Sequence, residues 1–244
     1  MQTHKPIKYI LLTLAIFGLT STSVKGSTST PNSLISSPEA RHNLVASNYV
    51  KAYEWYEKGN EFQKSQDLLK AINAYDQAIA INPSFDLAFA GKGWALKKLG
   101  DLVQALDAFD RAIELNPNSY RHWDGKGNIL YYMGRFEDSV EAYELSLNIN
   151  PQASRSWSGK GWSLSRLEEN EESLIAFNRA IEIYQDAPNY WFGKGTVLYK
   201  IGRYREANLA FKQSLLLDPN NTSTHHYLEL IEQRLSSSNL YSNY

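Results

Sequence analysis

One aromatic residue returns at a fixed interval along the chain. Trp55, Phe89, Trp123, Trp157 and Trp191 are evenly spaced, and Gly59, Gly93, Gly127, Gly161 and Gly195 keep the same step. Five copies without an insertion or deletion describe one structural unit stacked five times. Such an array buries a continuous seam between neighbours instead of a single globular centre.

Each unit reads as two helices. In the third copy, apolar residues fall at Trp123, Leu130 and Met133, with Gly127 where a bulky side chain would collide with a partner helix. Gly134 suits the left-handed backbone that closes a helix. Phe136, Val140, Tyr143, Leu147 and Ile149 then form the apolar stripe of a second helix. Asn150-Pro151 stops it, because the residue before proline is pushed out of helical geometry. Leu96, Leu164 and Leu198, and Asn82-Pro83, Asn116-Pro117 and Asp218-Pro219, repeat the scheme.

The pattern W-x3-G-x2-L…A-x3-F-x2-A-x4-P resembles the tetratricopeptide repeat. Its second-helix signature sits at Ala71/Tyr75/Ala78, Ala105/Phe109/Ala112, Ser139/Tyr143/Ser146, Ser173/Phe177/Ala180 and Ala207/Phe211/Ser214. The resemblance implies an all-α, right-handed α-solenoid of five helix-turn-helix units over residues 52–85, 86–119, 120–153, 154–187 and 188–221. Residues 222–244 read as a capping helix, Thr224 to Leu235, and a polar tail. The fourth copy departs from the pattern: Glu168 replaces the closing glycine, Asn170 the packing aromatic and Gln185 the terminal proline. Its turn is expected to be the loosest part of the stack.

The N-terminus reads as an address. Lys5 and Lys8 precede an apolar stretch, Tyr9 to Thr20, and the chain then turns to small and polar residues. That order describes a secretory signal over residues 1–26, with cleavage after Ser23 or Gly26. The stretch is too short for a membrane span, which needs about 20 apolar residues. An exported, extracytoplasmic protein is expected, periplasmic or lumenal, with no stable membrane insertion once the signal is cleaved. Residues 27–51 form a Ser/Thr/Pro-rich linker and a helical lead-in from Pro38. Residues 1–26 hold three lysines and no acid, so without them 22 basic residues face 26 acidic ones. That balance gives no reason to expect nucleic acid as a partner. The chain has no cysteine, which excludes disulfides, thiol catalysis and thiolate metal sites.

No catalytic, cofactor or metal constellation emerges. His225 and Glu229 stand one helical turn apart without a third ligand, and His122 stands alone. The triplets Gly91–Gly93, Gly125–Gly127, Gly159–Gly161 and Gly193–Gly195 read Gly-Lys-Gly but lack the strand and Ser/Thr of a phosphate loop. Their upstream glycines cost about 1 kcal/mol of helix propensity each, which suggests that something approaches the backbone there. Lys58, Lys92, Lys126, Lys160 and Lys194 form a ladder with two readings, a cationic strip for an acidic ligand or stems on neighbouring helices paired to acids such as Asp76, Asp110 or Glu144, and the second is preferred.

In the family, first helices line a concave groove, and the resemblance carries those sites over by position. They hold Tyr53 and Tyr56, Asn60, Trp94 with Lys98, Arg121, Asp124, Asn128, Tyr131 and Tyr132. In the later copies they hold Arg155, Trp162, Arg166, Phe192, Tyr199 and Lys200. Aromatics free of packing duty and rimmed by cations have the composition of a peptide-binding patch, with Trp94 and Trp162 as anchors. A subfamily that grips C-terminal carboxylates matches here only at Asn60; Tyr56, Gly91, Arg121 and Gly125 do not supply its remaining residues. The expected function is a non-enzymatic, exported adaptor or assembly factor that binds a protein or peptide partner. The alternative is a structural component of an envelope complex that uses the convex face. No cofactor is expected, and the oligomeric state is left open.

Overall fold

A computed structural model describes residues 38–241 of the chain. The signal and most of the Ser/Thr/Pro linker lie outside the described residues. Compactness separates residues 1–45 from residues 46–244, and the repeats belong to the second unit.

The described residues form helices only. They are α1 (Pro38–Lys64), α2 (Leu68–Ile81), α3 (Asp86–Leu99), α4 (Leu102–Leu115), α5 (Tyr120–Tyr132), α6 (Phe136–Ile149), α7 (Ser154–Arg166), α8 (Asn170–Ile183), α9 (Pro188–Lys200), α10 (Tyr204–Leu217) and α11 (Thr222–Tyr241). Odd-numbered helices are the first of each repeat and even-numbered ones the second. The first helices of repeats two to five touch one another in succession, whereas the second helices make no comparable contact. The first helices therefore form the inner face of the array.

Each first helix closes in the same way. Asp67, Asp101, Arg135, Glu169 and Arg203 donate their backbone N–H to the carbonyls of Phe62, Leu96, Leu130, Leu164 and Leu198. This closure requires a left-handed residue just before it. Gly100, Gly134 and Gly202 fill that place in three repeats, but Gln66 (φ 63°) and Glu168 (φ 67°) fill it in the first and fourth. Gln66 stands one repeat step before Gly100, so the first-repeat exception was also available in the sequence.

The upstream glycines of the Gly-Lys-Gly triplets each admit an aromatic ring of the preceding repeat. The ring of Tyr75 lies between Gly59 of its own repeat and Gly91 of the next, where an added Cβ would stand 2.6 and 2.7 Å from Cε1. Phe109 lies in the same way between Gly93 and Gly125, Tyr143 between Gly127 and Gly159, and Phe177 between Gly161 and Gly193. All four rings are buried. One glycine admits the ring from below and the other from above, so the lost helix propensity is exchanged for buried aromatic surface.

Three of the five ladder lysines pair with acids as expected. Lys92, Lys126 and Lys160 reach Asp76, Asp110 and Glu144 of the preceding repeat at 2.6, 2.7 and 2.7 Å. The equivalent partner of Lys194 is Asn178, and no ion pair forms there. Lys194 lies over the Trp191 ring at 5.6 Å, and burial lowers its pKa.

Helix α11 keeps the first-helix register. The indoles of Trp123, Trp157 and Trp191 donate from Nε1 to the carbonyls of Pro117, Pro151 and Gln185, six residues back. His225 stands one further repeat step beyond Trp191, and its Nε2 donates to the carbonyl of Pro219. This contact accounts for His225, which the sequence offered as half a metal site. Where the next glycine would face Phe211, Tyr227 stacks on that ring instead, with centroids 4.9 Å apart.

Candidate functional site

Three clefts run along the inner face and share walls. The first, about 410 Å³, is lined by residues that include Tyr56, Glu57, Asn60, Lys64, Leu87, Trp94, Lys98 and Arg121. Trp94 and Arg121 continue into a second cleft of about 350 Å³ with Tyr120, Asp124, Ser154 and Arg155. Asp124 and Arg155 in turn open a third, about 290 Å³, with Asn128, Tyr132, Ser158, Trp162 and Asn189. Shared side chains join the three into one trough across the repeats.

Most of the sequence-assigned groove residues meet in this trough, but six do not line it. Tyr53 packs on Tyr56 and Phe85 at the array's start. Tyr131 stands edge-on to Tyr132 and Phe136, and Arg166 of the next repeat lies over the Phe136 ring at 4.5 Å. Phe192 sits among Trp162, Phe211 and Tyr227, where it seals the C-terminal end of the core. Tyr199 packs on Tyr204 and Tyr227, and Lys200 donates to the carbonyl of Ser165.

The two anchor tryptophans require correction. Trp94 and Trp162 are half-buried, and their rings stand edge-on to Phe109 and Phe177 at 5.1 and 5.3 Å. They line the trough and also brace the core aromatics, so removing them would damage the fold along with the surface. Helical spacing assigns a residue to a face; it does not give the depth to which a large ring sinks into that face.

Asp124 lines the trough, as its position implied, but as a buried floor residue, 9% exposed. Its Oδ1 lies 2.8 Å from Ser156 Oγ, Ser156 lies 2.8 Å from Ser146 Oγ, and Ser146 donates to the carbonyl of Tyr120 at 2.9 Å. Burial raises the Asp124 pKa, opposed by Arg155 at 3.7 Å and by Ser156. Proton counting agrees with that direction. With Asp124 ionised, two hydroxyl hydrogens must serve three contacts; with Asp124 protonated, every contact has its own hydrogen.

Two features escaped the sequence reading. Lys97 is half-buried beside the trough, with Nζ 4.0 Å over the Tyr132 ring and 5.6 Å over Trp94, both trough residues. Burial first, and then the charge of Arg155, lower its pKa. Its position three residues after Trp94 was the available signal. His122 is 1% exposed, and its Nε2 donates to Asp86 at 2.8 Å. Asn116 donates to the same carboxylate oxygen at 2.9 Å. Burial pushes the Asp86 pKa upward, but the bonds from His122 and Asn116 together outweigh it and hold the pKa below its ordinary value.

Family models described as Tetratricopeptide repeat match residues 55–85, 87–119, 125–188 and 188–221. The chain belongs to the tetratricopeptide repeat family. Comparison with curated protein sequences gives no match. Among solved structures, MamA from Desulfovibrio magneticus RS-1 is similar with a TM-score of 0.61 and 18% identity, covering 70% of this chain and 97% of that one. The Pseudomonas aeruginosa pilF protein gives 0.69 and 15%, covering 79% and 90%. YrrB, described as a TPR protein with an unusual peptide-binding site, gives 0.58 and 16%, covering 76% and 95%. At these identities the likeness shows the shared fold.

Proposed function

We propose that this protein is a non-catalytic scaffold that holds an extended or helical segment of a partner protein in the inner trough. The carrying observation is the continuity of the three clefts through Trp94, Arg121, Asp124 and Arg155, with polar groups left over from packing. Tyr132 and Leu87 add exposed apolar surface to the same face. The peptide site named for YrrB supports the reading by analogy of fold.

Site-specific photo-crosslinkers at Leu87 and Tyr132 test it against crosslinkers at Val103 and Leu209 on the second helices. Adducts with a partner are expected from the inner pair. Adducts from the outer pair alone would transfer the function to the convex face. That second reading rests on Ile175 and Leu209, which occupy one register in successive repeats and are 61% and 70% exposed.

Export remains part of the proposal, supported by Lys5, Lys8 and the apolar stretch Tyr9 to Thr20. Among the described residues, no helix is long and apolar enough to cross a membrane. N-terminal sequencing of the mature protein is expected to start between Val24 and about Thr30. An intact Met1 on a soluble cytoplasmic product would overturn export.

A further inference from the structure

We propose that the segment held in the trough is acidic, and that Arg121 and Arg155 grip its carboxylates on either side of the Trp94 cleft. The inference rests on the reading of the trough as a peptide site and specifies the chemistry of its occupant.

It follows from a difference between two sets of cations on the same helices. On the packing side, Lys92, Lys126 and Lys160 each have a carboxylate within 2.6–2.7 Å. On the trough side, Lys64, Lys98 and Arg121 have no carboxylate in ion-pair range among the described residues. Arg121 instead lies 5.0 Å over the Tyr120 ring. Arg155, with its side chain 74% exposed, reaches only Asp124 at 3.7 Å. Lys97 adds a further positive charge close enough to Arg155 for that charge to oppose its protonation.

Only Glu57 and Asp124 oppose these cations in the three clefts, and Asp124 lies on the buried floor in contact with Ser156. The trough is therefore a positive surface on a chain whose remaining charge is net acidic. A basic segment would meet like charge there. A neutral one would leave Arg121 without an ionic partner and Arg155 with only the Asp124 contact. Guanidinium forks suit carboxylates in two-point contact, and the neighbouring rings of Trp94 and Tyr132 offer apolar surface between the charges.

The test titrates the full chain with three fluorescein-labelled dodecapeptides, alternating Phe with Glu, Gln or Lys, at low and high salt. The Glu peptide is expected to bind at least about tenfold more tightly than the Gln peptide, with an advantage that shrinks in high salt. Arg121→Gln with Arg155→Gln should remove about tenfold or more of that affinity, and melting should not change because both side chains are exposed. Equal binding of Gln and Glu peptides, both weakened by Tyr132→Ala, would overturn the acidic occupant and leave the peptide site standing. Binding that neither the arginine pair nor Tyr132→Ala alters would overturn the peptide site itself. Tighter binding of a polyuronic acid than of the Glu peptide would replace the acidic protein segment with an anionic polysaccharide.

Discussion

The interface between repeats one and two and the interface between repeats three and four use the same four positions in opposite ways. Ala71 and Ala78 of α2 and Ala88 and Ala95 of α3 give the first a dry seam of small apolar contacts. At the equivalent places the second has Ser139, Ser146, Ser156 and Ser163, all buried. Ser139 lies 2.9 Å from Ser163 and donates to the carbonyl of Gly127, while Ser163 reaches the carbonyl of Gly159. A hydroxyl adds one heavy atom to alanine, and each hydroxyl here has a partner, so helix separation need not change. The contrast shows what the fold requires at a repeat boundary: small volume at four sites, with polarity free to vary. The two interfaces also differ in reach, because the serine seam runs out to the trough through Asp124.

The largest expected effect probes what both interfaces share. Tyr75→Ala and Tyr143→Ala should each destabilise by about 3–5 kcal/mol in chemical denaturation. A much smaller loss for Tyr143 would mean that the serine seam, and not the aromatic, holds the later interface. The next test breaks the seam. Ser156→Ala leaves Asp124 without its hydroxyl partner and should cost about 1–3 kcal/mol near neutral pH.

The same site gives a pH signature. The folded pKa of Asp124 is raised, so its stabilising contribution is complete below the unfolded aspartate value and is lost as pH rises through the folded value. Asp124→Asn should remove that step from a stability–pH profile, and an unchanged profile would exclude Asp124 as its source.

Smaller effects concern the fourth repeat. Glu168→Gly relieves a left-handed non-glycine residue and should raise stability by about 1 kcal/mol, with Gln66→Gly behaving alike in the first repeat. Hydrogen exchange near residues 168–172 should be faster than at the Gly134 turn in the parent and should slow in Glu168→Gly. Smallest is Asn178→Asp, which supplies the missing carboxylate for Lys194. It should add about 0.2–1 kcal/mol at low salt and nothing at high salt.

The solenoid was legible because its determinants are local and periodic: Trp123, Gly127, Gly134 and Tyr143 each state one requirement of a repeat. The capping helix could have been read further, since one more step of the period past Trp191 lands on His225. The role of Gly91 and its equivalents could not be read from one unit, because the ring it admits belongs to the preceding repeat. Depth was illegible for a related reason. Trp94, Trp162 and Phe192 fall on the inner face by spacing, yet the neighbouring rings decide how much of each remains accessible. The burial of Asp124 could not be read because its hydroxyl partner, Ser156, belongs to the next repeat and is itself backed by Ser146 of the intervening helix.

The glycine-flanked rings have a mechanical consequence. A flat aromatic disc held between two backbone surfaces without side chains resists compression, since neither surface can approach further. Four such bearings separate the five repeats, whereas at the far end Tyr227 stacks on Phe211 and closes the last joint. The spacing between repeats is therefore set by ring thickness at four joints, and the cross-repeat ion pairs of Lys92, Lys126 and Lys160 bridge the first three of them.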